Sequence, residues 1–179
     1  ALQFALSKLD ECSIPYIVTG WFASFMQGVP RATYDADVVI DVDRQSLEKL
    51  VESLEEEFYL SPEGALEALA RERMFNIIHL ETGFKVDLII KKNRAFNQEE
   101  FARREKANYL GEPRWFATAE DIILAKLEWS KLGDSERQYV DAVNVAKVQG
   151  ERLDRAYLLN WAKELGVEEL LEKLFQDLL

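Results

Sequence analysis

The chain has 179 residues, 48% of them hydrophobic, enough for one good core and therefore for one domain or one domain with an appendage. Its 33 acidic residues against 22 basic ones leave a formal charge of -11, which repels a phosphate backbone unless the cations gather in one patch. That argues against broad nonspecific nucleic-acid binding and fits metal binding, a small nucleotide, a basic protein partner or simply solubility. Cys12 is the single cysteine, so an internal disulfide and an intrachain cysteine-based zinc site are excluded. No run approaches the ~18 apolar residues that span a bilayer, and residues 1–10 lack the cationic start of a secretory signal. No membrane partner is expected, and the cytoplasm is the expected compartment.

Leu2, Phe4, Ala5, Leu6, Leu9 and Cys12 recur at helical spacings and predict an amphipathic helix ending before Pro15. Tyr16 to Thr19 reads as a short buried strand. Gly20 ends it and Trp21 to Gln27 reads as a short helix, the order of a phosphate-binding turn, with a further turn at Gly28 to Pro30. Residues 35–42 form a β-branched run that opens with alternating acidic and apolar positions, as in a strand with one functional face. Helices are predicted over Ser46 to Phe58 and Gly64 to Glu72, then strands over Met74 to Leu80 and Phe84 to Ile90 joined through Glu81, Thr82 and Gly83. A helix over Asn97 to Arg104 precedes a weakly strand-like stretch from Asn108 to Phe116. From Thr118 the pattern is helical only, over 118–131, 135–149, 154–165 and 167–178, punctuated by Gly133, Gly150 and Gly166. The expected organisation is an α/β domain over 1–117 and a helical segment over 118–179 packed on it.

Asp35 and Asp37 are two residues apart on a predicted strand, so both project from one face. Asp87 lies in Lys85-Val86-Asp87-Leu88-Ile89, an apolar strand with no structural need for an acid. If these strands are neighbours, the three carboxylates enclose a site for hard divalent cations such as Mg²⁺, and two such ions ~3.5–4 Å apart can clamp an in-line phosphoryl displacement. The plainer alternative is that Asp35 ends a turn, Asp37 caps a strand and Asp87 is solvated on an edge.

With Gly20 upstream and Arg31 and Thr33 in step with the acids, these residues resemble the nucleotidyltransferase superfamily, particularly its minimal members and the AbiEii-like bacterial toxins. The shared elements are Gly20-Trp21 after the first strand, Arg31-Ala32-Thr33-Tyr34-Asp35-Ala36-Asp37, and Lys85-Val86-Asp87. A later Leu124-Ala125-Lys126-Leu127 followed by Arg137 and Asp141 is similar to the helical segment of the AbiEii-like group. The resemblance spans about 16–145 and implies a mixed sheet flanked by helices with a C-terminal helical appendage. It also implies Mg²⁺ or Mn²⁺ on Asp35, Asp37 and Asp87, a nucleoside triphosphate substrate, and an RNA, protein or small-molecule acceptor. Gly20 would let the backbone approach the triphosphate, and Arg31, Lys85 and Lys126 would neutralise its oxygens. Kinship alone suggests a toxin–antitoxin setting with an antitoxin or other helical partner.

Trp21 stands where relatives carry a small residue or a hydroxyl, and either stacks on a base or seals the core; Ser24, one turn on, can replace the missing hydroxyl. Lys126 falls on the apolar face of its helix, where its partner is a phosphate or carboxylate or its stem simply covers apolar surface. Arg137 and Asp141, at i and i+4, can also form no more than a surface ion pair. His79 reads as structural, and with it serine-triad and zinc chemistry lack parts. Trp115, Trp129 and Trp161 read as core. The expected function is metal-dependent transfer of a nucleoside monophosphate to a hydroxyl, against the alternative of a catalytically inactive module of the same fold working through protein or nucleotide contacts.

Overall fold

The computed structural model describes residues 1–20 and 35–178, in two compact units divided after Phe116. The predicted helix over Trp21 to Gln27, the turn at Gly28 to Pro30, and Trp21, Ser24, Arg31 and Thr33 lie outside the described residues.

The first unit is a seven-stranded mixed sheet with α-helices. Helix α1 (Leu2–Glu11) leads into β1 (Tyr16–Thr19), and β2 (Asp35–Ile40) follows. Helix α2 (Arg44–Leu54), the two-residue β3 (Phe58–Tyr59), α3 (Pro62–Ala70), β4 (Met74–His79), β5 (Lys85–Ile90), α4 (Ala95–Arg103), β6 (Glu105–Tyr109) and β7 (Glu112–Phe116) complete the unit. The strand order is β3-β4-β5-β2-β1-β7-β6. Strands β2 and β5 run parallel, as do β1 and β7, while β1–β2, β4–β5, β3–β4 and β6–β7 are antiparallel. Central strands flanked on both sides need apolar side chains, and Ile17, Val18, Val38, Ile40, Val86 and Leu88 are buried accordingly. Leu2, Leu6 and Leu9 of α1 and Leu47, Leu50 and Leu54 of α2 are buried with them, and the two helices touch.

Local chemistry moved several predicted boundaries. The Asp43 carboxylate accepts from the Ser46 amide at 2.8 Å, so α2 starts at Arg44, before the predicted Ser46. It ends at Leu54 because Phe58, predicted as its last residue, is buried in β3 opposite His79. Ser61 caps α3, with Pro62 in its first turn. Asn108 to Phe116 is not one strand but part of a hairpin. Leu110 and Gly111 both have positive φ, as a two-residue type I′ turn requires, and leucine there hid the turn from the sequence reading.

The second unit contains α5 (Ala119–Gly133), α6 (Glu136–Gln149), a 3₁₀ turn (Gly150–Arg152), α7 (Arg155–Leu165) and α8 (Glu168–Asp177). Thr118 caps α5, its hydroxyl accepting from the Asp121 amide at 3.3 Å and donating to the Asp121 carboxylate at 2.7 Å. Polar bonds then tie helix to helix: Tyr157 Oη donates to Asp121 at 2.6 Å, the Asp154 amide to Glu120 at 2.9 Å and Tyr139 Oη to Asp177 at 2.8 Å. Trp129, predicted as core, is 54% exposed, because the buried stripe of α5 runs through Ile123, Lys126, Leu127 and Ser130 and leaves position 129 at its flank. Trp115 and Trp161 are partly buried.

Candidate active site

The pairing of β2 with β5 decides the site. Asp37 stands directly opposite Asp87, and Asp35 opposite Lys85. Strand neighbours directly opposite share a face, so all four side chains project from one face of adjacent strands about 4.8 Å apart. The row through Asp37 and Asp87 continues to Thr19 of β1 on one side and Asn76 of β4 on the other. Neither flanking residue was singled out from sequence. Thr19 ends an apolar strand, and Asn76 interrupts Met-Phe-Asn-Ile-Ile-His, a polar break that in retrospect was the available signal.

Asp87 lies on a central strand and is 6% exposed, which rules out a solvated edge position for it. Such an acid is costly without compensation. Its Oδ2 accepts from the Lys85 ammonium at 2.7 Å, while its Oδ1 is buried without a hydrogen-bond partner among the described residues. Lys85 remains 38% exposed on its side chain and holds its proton above the ordinary lysine range. The bond to Asp87 is the main cause; partial burial opposes it, and the charges of Asp87, Asp35 and Asp37 add to it.

Gly20 follows Thr19 with φ +64°, a left-handed conformation that glycine adopts freely. A β-carbon there would overlap the Asp37 carboxylate. Glycine is thus required twice, by the backbone angle and by the acid packed against it.

The donor set is one of hard carboxylate oxygens, which suits Mg²⁺ or Mn²⁺, and the orphaned Asp87 Oδ1 has a lone pair available for such an ion. As they stand, no three His, Cys, Asp or Glu side chains among the described residues are drawn together as a metal cage. A cation is nonetheless present at the acids: the Lys85 ammonium, bonded to Asp87 and attracted by Asp35 and Asp37. The donor chemistry therefore suits a divalent metal, with Lys85 already holding one of the two Asp87 oxygens.

The other predicted site residues belong to the helical unit. Lys126 and Asp141 are both buried, at 5% and 4% exposure, and the Lys126 Nζ lies 3.6 Å from Asp141 Oδ2. Asp141 is therefore a buried acid facing a lysine of the neighbouring helix, and the reading of it as half of a surface pair with Arg137 is corrected; Arg137 is exposed. His79 is structural as expected, its Nδ1 2.9 Å from the Thr82 hydroxyl at the β4–β5 turn and its ring edge against Phe58.

Comparison with solved structures identifies the architecture. The antibiotic-resistance factor ANT(2'')-Ia matches with a TM-score of 0.58 at 16% identity, over 94% of this chain and 92% of that one. The chain has a nucleotidyltransferase-like fold. The lincosamide antibiotic adenylyltransferase LnuA, solved with lincomycin, matches at 0.55 and 14% identity over 82% of this chain and 95% of its own. An antigenic nucleotidyltransferase-like protein from Paracoccidioides brasiliensis matches at 0.52 and 19% identity over 91% and 87%. No family model and no curated protein matches the chain. No helix among the described residues is long and apolar enough to cross a membrane.

Proposed function

We propose that the protein is a metal-dependent nucleotidyltransferase that moves a nucleoside monophosphate from a triphosphate to a hydroxyl acceptor. The observation that carries this reading is the register of β2 on β5, which sets Asp37 beside Asp87 with Asp35 one step along the same face. Asp35, Asp37 and Asp87 are the residues that would hold Mg²⁺ or Mn²⁺. The bound ion supplies Lewis-acid polarisation of the phosphate oxygens.

The rest falls to the chain itself. Gly20 leaves room for the Asp37 carboxylate against the backbone that would approach the triphosphate, and among the described residues Lys85 brings a cation to Asp87. The acceptor oxygen forms its bond to the α-phosphorus as the bond from that phosphorus to the bridging β-phosphate oxygen breaks, and pyrophosphate leaves. An Asp87 oxygen receives the hydroxyl proton. Arg31 and Lys126 are proposed as further phosphate partners, with Trp21, Ser24 and Thr33 along the nucleotide and Arg137 and Asp141 in support. The neighbours solved with or named for antibiotics make a small hydroxylated acceptor the first class to try, which suits an acidic protein if that acceptor is cationic. The Arg31–Asp37 motif with Lys126, Arg137 and Asp141 supports a finer proposal, an AbiEii-like toxin held by an antitoxin.

Calorimetric titration with each of the four triphosphates and Mg²⁺ tests the reading. Binding that requires metal and disappears in the Asp35→Ala/Asp37→Ala double variant is expected, as is loss of label transfer from triphosphate to cell extract by ~10³-fold or more. No binding by the parent protein returns the catalytically inactive module instead. Bacterial growth arrest on expression of the parent but not of the double variant checks the toxin proposal.

A further inference from the structure

The Lys85 ammonium holds an Asp87 oxygen that a divalent cation bound there would use. It is bonded to Asp87 Oδ2 at 2.7 Å, and Asp37 stands directly opposite Asp87 on the neighbouring strand. Without it, Asp87 would be a buried acid with neither oxygen hydrogen-bonded among the described residues. Lys85 reaches this position from the next row of the same face, opposite Asp35, along a side chain that is still 38% exposed. It has room to leave. Lys126 in the helical unit, 6% exposed on its side chain, does not.

We propose that Lys85 is an internal counter-ion that competes with the divalent metal and, once displaced, becomes a ligand of the triphosphate. The proposal rests on the nucleotidyltransferase reading and adds a coupling to it. A metal ion arriving alone must expel the ammonium into water and forfeit the Asp87 bond, so metal alone binds weakly. Arriving with a triphosphate, it leaves the ammonium a new anionic partner close to the one it lost. Metal and triphosphate therefore help each other bind by the same factor, because linkage is reciprocal. Removing the ammonium relieves its competition with the metal and takes a cation from the triphosphate, so the two respond in opposite directions. Lys85 is a positioning residue here; it forms and breaks no covalent bond.

The test uses the full chain and two titrations that need no turnover. Free Mn²⁺ is followed by electron paramagnetic resonance without nucleotide, and Mn²⁺ complexes of the α,β-methylene analogues of ATP, CTP, GTP and UTP are titrated calorimetrically at saturating metal. In Lys85→Met, Mn²⁺ alone is expected to bind about 10-fold more tightly and the preferred analogue about 10-fold more weakly, the scale of a coupling of ~1.4 kcal/mol. Lys85→Arg, which keeps the cation, stays within about 2-fold of the parent in Mn²⁺ affinity. A lysine that merely supports the fold would weaken both titrations or neither, and either result overturns the proposal, as does a Lys85→Met protein whose Mn²⁺ affinity is unchanged. Parent protein that binds the analogues in an Asp37-dependent way while Lys85→Met leaves Mn²⁺ affinity unmoved sinks the counter-ion alone. Parent protein that binds neither Mn²⁺ nor any analogue sinks the nucleotidyltransferase reading, and the counter-ion with it.

Discussion

Two lysine–aspartate pairs in this chain use the same chemistry in opposite surroundings. Lys126 and Asp141 bridge two helices of the second unit with both side chains at or below 6% exposure and a separation of 3.6 Å. Lys85 and Asp87 share one strand at 2.7 Å, with the acid buried, the lysine 38% exposed, and two further acids on the neighbouring strand. The first pair has lost water on both sides, so each charge depends on the other and on the packing around it. The second is open on the cation's side, which leaves the lysine a route to water. Burial fixes the first pair in place, whereas exposure leaves the second free to exchange partners.

The largest effect should come from breaking the buried pair. Asp141→Ala removes a buried acid from beside the buried Lys126 ammonium and is expected to cost ~3–5 kcal/mol of stability, read by urea denaturation, whereas a pair that merely decorated the surface would cost ~1 kcal/mol or less. Next comes Gly20→Ala, which meets the Asp37 carboxylate and forces a non-glycine residue to a positive φ. A loss of ~1–3 kcal/mol together with loss of Mn²⁺ affinity is expected, and retention of both would show that the approach of Gly20 to Asp37 is dispensable. Lys85→Met should lower stability by about 1–3 kcal/mol, because the buried Asp87 loses its donor, while the exposed end of the lysine itself contributes little. A loss matching that of Asp141→Ala would erase the contrast between the pairs.

The smallest effect belongs to a control away from both. Asp43 is held below the ordinary carboxylate range by the Ser46 amide, then by the Ser46 hydroxyl, with slight desolvation opposing. A depressed carboxylate contributes stability above its unfolded value of ~3.9 and loses it as the pH falls through its lower folded value. Asp43→Ala should therefore destabilise α2 slightly at neutral pH and make no difference in strong acid, as checked by thermal melts across that range.

The site was legible where periodicity and chemistry agreed. Asp35 and Asp37 two apart on a β-branched run, and Asp87 inside an apolar strand, are anomalies that burial alone would not select. Harder to read were the places where a neighbour overrode local preference. Phe58 looked like the end of a helix until His79 paired with it as strand, and Leu110 gave no sign of a turn that needs two positive φ angles. Trp129 matched a helical apolar spacing, yet it lies off the stripe that α5 buries.

Composition and pattern by themselves determined most of the element types, the acidic balance and the choice of three candidate carboxylates, because those depend on side-chain chemistry and on spacings of a few residues. Only the tertiary structure decided that β2 lies beside β5 in a register that sets Asp37 against Asp87, since nothing local in either strand specifies its partner. It also decided what neutralises them: Lys85 reaches the acids and Lys126 reaches Asp141, pairings set by which strands and helices pack together.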